Sequence, residues 1–153
     1  MRTLLLASAL VIAAAACSSK SHDERLSASD SRDVLINRNW IDRMPERTTD
    51  RLHVYRFVPN MGGGVFQDRT LFKGIFELFM FKVERDHLVF ELPETHEKVT
   101  SQFRIERVSG PRPFDLKLTI FSDPRGPSVY YGMRAETDRD GHLLDQRLAA
   151  VPQ

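Results

Sequence analysis

Residues 99–106 read Val-Thr-Ser-Gln-Phe-Arg-Ile-Glu, and this stretch decides the fold class. Apolar or small side chains occupy every second position, and polar or charged side chains lie between them. A period of two is typical of a β-strand that buries one face and exposes the other to solvent. Residues 114–120, Phe-Asp-Leu-Lys-Leu-Thr-Ile, repeat the pattern after a loop rich in proline and glycine. The two stretches therefore predict neighbouring strands.

The same period extends in both directions, from residue 50 to residue 133, and turn residues interrupt it at short intervals. Met61-Gly62-Gly63-Gly64 predicts one such turn, because consecutive glycines weaken any regular element. Residues 71–83 are apolar at both parities, which fits either a strand buried on both faces or a core helix. Aromatic and β-branched residues dominate this run and Gly74 interrupts it, so the strand is favoured.

The spacing of these segments predicts an all-β protein built as an antiparallel up-and-down meander. An open sheet of about eight strands would expose two edges, and closure into a barrel removes them. We therefore expect a closed barrel of about eight strands over residues 33–137. Residues 138–153 fit either a last hairpin strand, with a turn at Asp140-Gly141, or a short helix that carries Leu144 and Leu148.

The composition excludes several classes of protein. All ten phenylalanines lie between Phe57 and Phe121, which is too apolar a segment for a disordered tail. The single cysteine cannot form an internal disulfide or a thiolate-rich zinc site, and the histidines have no chelating spacing, so no metal or cofactor is expected. The net charge is +1 and falls to zero without Arg2. No basic field therefore points to nucleic acid.

The first sixteen residues have the layout of a secretory signal peptide. Met1-Arg2 supplies the positive end, residues 4–16 form an apolar run, and small residues precede Cys17. An apolar run of this length rises roughly 20 Å as a helix, which is short of the ~30 Å hydrocarbon core of a bilayer. A cleaved signal peptide over 1–16 is therefore favoured over a permanent transmembrane helix.

The placement of Cys17 directly after three alanines resembles the lipobox of bacterial lipoproteins. That resemblance implies that the Cys17 thiol carries acyl chains of the palmitate type and becomes the new N-terminus. Two or three such chains hold a protein at a membrane, since each buried methylene contributes roughly 0.8 kcal/mol. Residues 17–32 are serine-rich and predict a flexible tether. Ser18 follows the anchor where enterobacterial lipoproteins retained in the inner membrane have aspartate, which favours the periplasmic face of the outer membrane.

Several short motifs resemble the small bacterial lipocalin-like domains: Asn39-Trp40 at the first strand, the run 117–120, and Tyr130-Tyr131 beyond Asp123 and Gly126. The resemblance implies a barrel that binds small apolar molecules, often without enzyme activity. The side chains expected to line its pocket are aromatic: Trp40, Tyr55, Phe76, Phe103 and Tyr131.

The sequence thus predicts a non-enzymatic envelope lipoprotein that binds a small apolar or amphipathic ligand. No serine lies in a nucleophile elbow, so nucleophilic hydrolysis has no sequence support. The alternative is a structural or protein-interaction module of the envelope with a solid barrel core. Phe72, Val89 and Phe121, which fall at outward parities, would then form the docking patch.

Overall fold

The computed structural model describes residues 23–59, 63–136 and 142–152. Within these residues the chain forms nine strands and two short helices. In chain order they are β1 (Glu24–Arg25), α1 (Ala28–Leu35), β2 (Asn39–Ile41), β3 (Leu52–Val58), β4 (Gly63–Arg69), β5 (Gly74–Glu84), β6 (His87–Glu91), β7 (Lys98–Arg107), β8 (Leu116–Ile120), β9 (Val129–Gly132) and α2 (Leu143–Ala149). Neither helix of this described part is long and apolar enough to cross a membrane.

Strands β2 to β9 form a closed antiparallel barrel. Each strand pairs with the next along the chain, and β9 pairs with β2 to close the ring. This confirms the predicted all-β class and the barrel of about eight strands. Residues 71–83 belong mostly to β5, so the strand interpretation of that run is also confirmed. Of the turn predicted over 61–64, residues 61 and 62 lie outside the described part of the chain, and Gly63 and Gly64 are the first residues of β4.

The interior of the barrel is filled by one side-chain face of the strands. Trp40, Tyr55, Phe57, Phe90 and Phe103 are among its fully or almost fully buried members. The period of two along each strand places these residues on the same side of the sheet as the buried leucines and isoleucines of β7 and β8. The indole N–H of Trp40 donates to the carbonyl of Leu35 at 2.9 Å, so its one polar group is satisfied.

One end of the barrel is covered by the segment that precedes β2. Glu24 and Arg25 pair with Arg107 and Glu106 of β7, and α1 follows. Ser27 caps α1 by accepting a hydrogen bond from the backbone N–H of Asp30 at 3.1 Å. Leu35, in the last turn, is completely buried against the interior cluster.

The prediction of a flexible tether over 17–32 is therefore wrong for its second half. Residues 24–32 include strand β1 and the first five residues of α1, and residues 17–22 lie outside the described part of the chain. Sequence periodicity missed α1 because the helix is only eight residues long and buries only Ser31 and Leu35. Tertiary contact, rather than an amphipathic pattern, stabilises so short a helix.

Helix α2 covers part of the outer surface. Leu144 and Leu148 pack with Ile41, Leu52 and Val54, whose side chains face away from the barrel interior. Of the two alternatives for the C-terminal region, the short helix is present at 143–149. The predicted turn at 140–141 lies outside the described residues.

Candidate functional site

Three of the five predicted pocket residues lie inside the barrel, where they pack against other side chains. Trp40, Tyr55 and Phe103 all belong to the interior cluster. The Tyr55 ring lies at its centre, with ring centroids 4.7 Å from Phe66 and 5.1 Å from Tyr130. Contacts at these distances, several of them edge-to-face, are favourable aromatic packing. The described interior is a packed aromatic core around Tyr55.

Phe76 and Tyr131 do not join the other three. Phe76 is on β5 but its side chain faces outward and is 60% exposed. Tyr131 pairs with Ile41 and packs its ring on Phe114, 5.8 Å away, in the outer cluster below α2. The inward aromatic of β9 is Tyr130. The Tyr130-Tyr131 pair gives no parity signal by itself, because both residues are aromatic and only the register decides which one is buried.

Polar contacts join the interior to the β8–β9 connection, residues 121–128. The hydroxyls of Tyr55 and Tyr130 each donate to a different oxygen of the Asp123 carboxylate, both at 2.7 Å. The backbone N–H of Arg125 adds a bond of 2.9 Å to the same carboxylate. Burial raises the pKa of both tyrosines, and the Asp123 charge raises it further. The two hydroxyls therefore act as neutral donors that hold the connection over the barrel end.

Arg125 reaches into the interior from the same connection. Its side chain is 4% exposed, and its guanidinium carbon lies 4.6 Å from the Phe79 ring centroid and 5.4 Å from that of Phe90. Its Nε donates to Glu77 at 2.7 Å. A buried cation needs such partners, because desolvation without them is costly. The sequence predicted only a turn here. The one indication in the sequence was an acidic residue, Asp123, two positions before Arg125.

Gly126 lets this connection lie close to the aromatic core. A Cβ at that position would be 3.0 Å from the Tyr130 hydroxyl and 3.2 Å from Cζ of Phe66. Both contacts are tighter than ordinary van der Waals packing. The connection therefore seals this barrel end, with Arg125 as an interior side chain.

Most of the large apolar side chains that are exposed among the described residues belong to one part of the barrel. Five large apolar side chains of β5 and of the turn before it are 55–75% exposed. We call four of these residues the β4–β5 face: Phe72, Phe76, Leu78 and Met80. Ile75 has the parity of the inward Phe79, so it is exposed on the other side of β5. The sequence predicted residues 71–83 to be a strand buried on both faces. This is wrong for the first half of β5, because Ile75 on one side and Phe76 and Leu78 on the other are exposed.

A groove continues the β4–β5 face. Its volume is about 390 Å³, and Val65, Leu78, Met80 and Pro93 contribute to its lining. Gly63 also lines it, and a Cβ there would overlap the carbonyl oxygen of Phe79. Only glycine lets β4 approach β5 so closely at this point. Gly63, which was interpreted as part of a turn, thus shapes part of the groove.

Of the three outward residues predicted to form a docking patch, two are exposed and one is half-buried. Phe72 is 75% exposed and Phe121 is 41% exposed, whereas Val89 is half-buried. The guanidinium of Arg104 lies 5.6 Å from the Phe121 ring centroid, so that ring has a cationic neighbour. Phe72 belongs to the β4–β5 face.

A buried polar cluster lies where the start of β2 meets the residues that follow β9. Asn39 donates a side-chain hydrogen bond to the carboxylate of Glu136, and Arg38 Nη1 donates to the carbonyl of Met133 at 2.8 Å. Burial raises the pKa of Glu136, and the bonds from Asn39 oppose that shift. In the part of the chain that is described, no group of three histidine, cysteine or acidic residues could hold a metal ion.

Comparison of the chain with protein-family models, with curated proteins and with solved structures finds no match.

Proposed function

We propose that this chain is a non-enzymatic lipoprotein of the cell envelope whose barrel presents the β4–β5 face to a protein partner. The observation that carries the proposal is the contrast between the two faces of β5. Phe79, which faces inward, is 3% exposed, whereas its neighbours Leu78 and Met80 are 69% and 55% exposed. An exposed apolar surface of this kind marks an interaction site.

The packed interior favours a barrel with a solid core rather than a barrel that binds a ligand inside it. The end near α1 is covered by Leu26 and Leu35, and the other end by Asp123 and Arg125. An eight-stranded barrel has an interior that side chains can fill. The closed up-and-down topology also supports the lipocalin-like resemblance.

Photocrosslinking tests the docking role. A photoreactive amino acid replaces Leu78 in the full chain, and the matched control replaces Thr100, an exposed residue of β7. We expect a discrete protein adduct from position 78 that position 100 does not give and that Phe76→Glu abolishes. Equal labelling from the two positions would contradict a docking face on β5.

The groove supports a second candidate function, the binding of a small apolar or amphipathic ligand. Its volume of about 390 Å³ lies within the range of ligand pockets, and its lining is largely apolar. The test is solvent extraction of the purified protein followed by mass spectrometry. A ligand that is present in stoichiometric amount and lost in Met80→Glu would favour this function over protein docking.

The membrane anchor forms a separate part of the proposal. Cys17 carries the acyl chains and holds the protein at the outer membrane, by resemblance to the lipobox. We expect Cys17→Ser to lose incorporation of radiolabelled palmitate and to change processing of the leader. Unchanged labelling and membrane attachment would refute the anchor and leave the docking role untouched.

A further inference from the structure

A second pocket lies beside helix α1, at the barrel end that β1 and α1 cover. On one edge of β7, β6 pairs as far as Gln102 and β1 pairs from Glu106 onward. Among the described residues, the three positions of β7 between them have no strand on this edge. The backbone N–H of Phe103 donates instead to the carbonyl of Asp86 at 2.8 Å. A pocket of about 260 Å³ opens at this gap.

Three arginines from three different elements line this pocket: Arg25 of β1, Arg85 of the β5–β6 turn and Arg104 of β7. In the part of the chain that the structure describes, Arg25 and Arg85 have no carboxylate within ion-pair distance. Arg104 has one, since its Nε lies 3.4 Å from a carboxylate oxygen of Glu106. Guanidinium groups bind oxyanions through paired N–H donors. Two of the three are therefore available for an anion.

The carboxylate that lines the pocket is engaged by its own neighbours. Gln102 Nε2 donates to one oxygen of Asp86 at 2.8 Å, and His87 Nδ1 lies 2.9 Å from the other oxygen. The hydrogen bond from Gln102 holds the pKa of Asp86 below its usual value, so this group is charged at neutral pH. Three guanidiniums against one carboxylate leave the lining with a net positive charge.

Helix α1 begins at the wall of the pocket and contributes uncharged donors. Ala28, its first residue, lines the pocket, and the N–H groups of a first helical turn have no partner within the helix. Such N–H groups bind anions. Ser31 also lines the pocket, is only 6% exposed, and has no side-chain hydrogen bond to any described residue. Because a buried hydroxyl without a partner is costly, Ser31 indicates that a ligand completes its hydrogen bonding.

We propose that this pocket binds a phosphoryl oxyanion, carried either by the head group of an anionic lipid or by a soluble phosphate ester. A phosphoryl group has several acceptor oxygens, which suits guanidinium, hydroxyl and backbone N–H donors that come from different sides. The volume of about 260 Å³ is below the roughly 300–1,000 Å³ of pockets for drug-sized molecules, which fits a head group or small ester. The site is separate from the β4–β5 face and does not depend on its docking role.

The position of the pocket brings it close to the N-terminus of the proposed lipoprotein. Arg25 is two residues after Asp23, where the described part of the chain begins. The segment from Cys17 to Asp23 spans at most about 20 Å. In the acylated protein the pocket therefore lies within reach of lipid head groups, and the lipid is the favoured source of the phosphoryl group.

Titration of the purified full chain with defined probes tests the site and separates the two sources. Glycerol 3-phosphate is the soluble ester, and its binding is followed by calorimetry. Phosphatidylglycerol is the anionic lipid and phosphatidylcholine the lipid without net charge, and both are followed by native mass spectrometry from detergent micelles. We expect one molecule of phosphatidylglycerol per chain, bound at least about 10-fold more tightly than phosphatidylcholine. Binding of glycerol 3-phosphate with no preference between the lipids supports the site and assigns it to a soluble ester.

Substitutions in the pocket distinguish this site from general attraction to a positive surface. Arg85→Gln and Arg25→Gln each remove one exposed guanidinium and should weaken binding at least about 10-fold. Ser31→Ala, which changes no charge, should weaken it a few-fold. The matched control is Arg112→Gln, which removes the same charge from an exposed residue of the β7–β8 connection and should leave binding unchanged. Equal weakening by Arg85→Gln and Arg112→Gln overturns the inference, as does the absence of binding of both phosphatidylglycerol and glycerol 3-phosphate.

Discussion

Replacing Asp123 by asparagine tests whether the β8–β9 connection is held by the two tyrosine hydroxyls. The Asp123 carboxylate accepts bonds of 2.7 Å from both Tyr55 and Tyr130. The asparagine side chain offers one acceptor oxygen, and its amide group cannot accept the second hydroxyl. The proton of one buried hydroxyl therefore loses its acceptor, and the remaining bonds lose the carboxylate charge.

The magnitude follows from these contacts. A hydrogen bond to a charged group contributes about 1.5–3 kcal/mol, and an unsatisfied buried donor costs about 1–3 kcal/mol. We therefore expect Asp123→Asn to lower the free energy of unfolding by about 3 kcal/mol. Tyr130→Phe, which removes one donor, should cost about 1–2 kcal/mol by the same reasoning. In the Tyr130→Phe background, Asp123→Asn should cost clearly less, because the unsatisfied donor is gone.

Urea unfolding followed by the fluorescence of Trp40 measures these differences. Trp40 is the only tryptophan and is completely buried, so it reports loss of the barrel core. Asp145→Asn on α2 is the control, since that side chain is 69% exposed and its change should stay within about 0.5 kcal/mol. Additive costs of Asp123→Asn and Tyr130→Phe would refute the coupling that the geometry requires.

Three further predictions concern other parts of the chain. Gly63→Ala should destabilise the fold by roughly 1–3 kcal/mol because its Cβ would overlap the Phe79 carbonyl; Gly110→Ala, whose nearest neighbour would be 3.8 Å away, is the control in the same urea assay. Glu136 has a raised pKa when folded, so its contribution to stability falls as pH rises from the unfolded value toward the folded one. Glu136→Gln should gain stability relative to the parent from pH 4 to pH 8 in thermal melts, and a constant difference would contradict the raised pKa. Phe76→Ser should leave the free energy of unfolding within about 0.5 kcal/mol while reducing binding of a hydrophobic dye, and unchanged dye binding would show that the β4–β5 face is covered.

The fold was predictable because the barrel follows from local alternation. Residues 99–106 lie in β7 and residues 116–120 form β8, and the predicted inward side chains of both strands are buried except Val99, which is half-buried. α1 was not predictable in this way, since its stability comes from the contact of Leu35 with the core. Parity failed where both neighbours are aromatic, as at Tyr130-Tyr131, because the chemistry of the two side chains is the same.

The sequence by itself determined the strand period, the antiparallel meander and the aromatic character of the core. These properties depend on residues close in the chain, so a single stretch carries the information. Only the tertiary structure decided that Arg125 and Asp123 seal one barrel end and that the first half of β5 stays uncovered. The reason is that both depend on distant segments. The seal depends on β3 and β9 meeting the β8–β9 connection at the Asp123 carboxylate, and the open face depends on β6 ending its pairing at Met80.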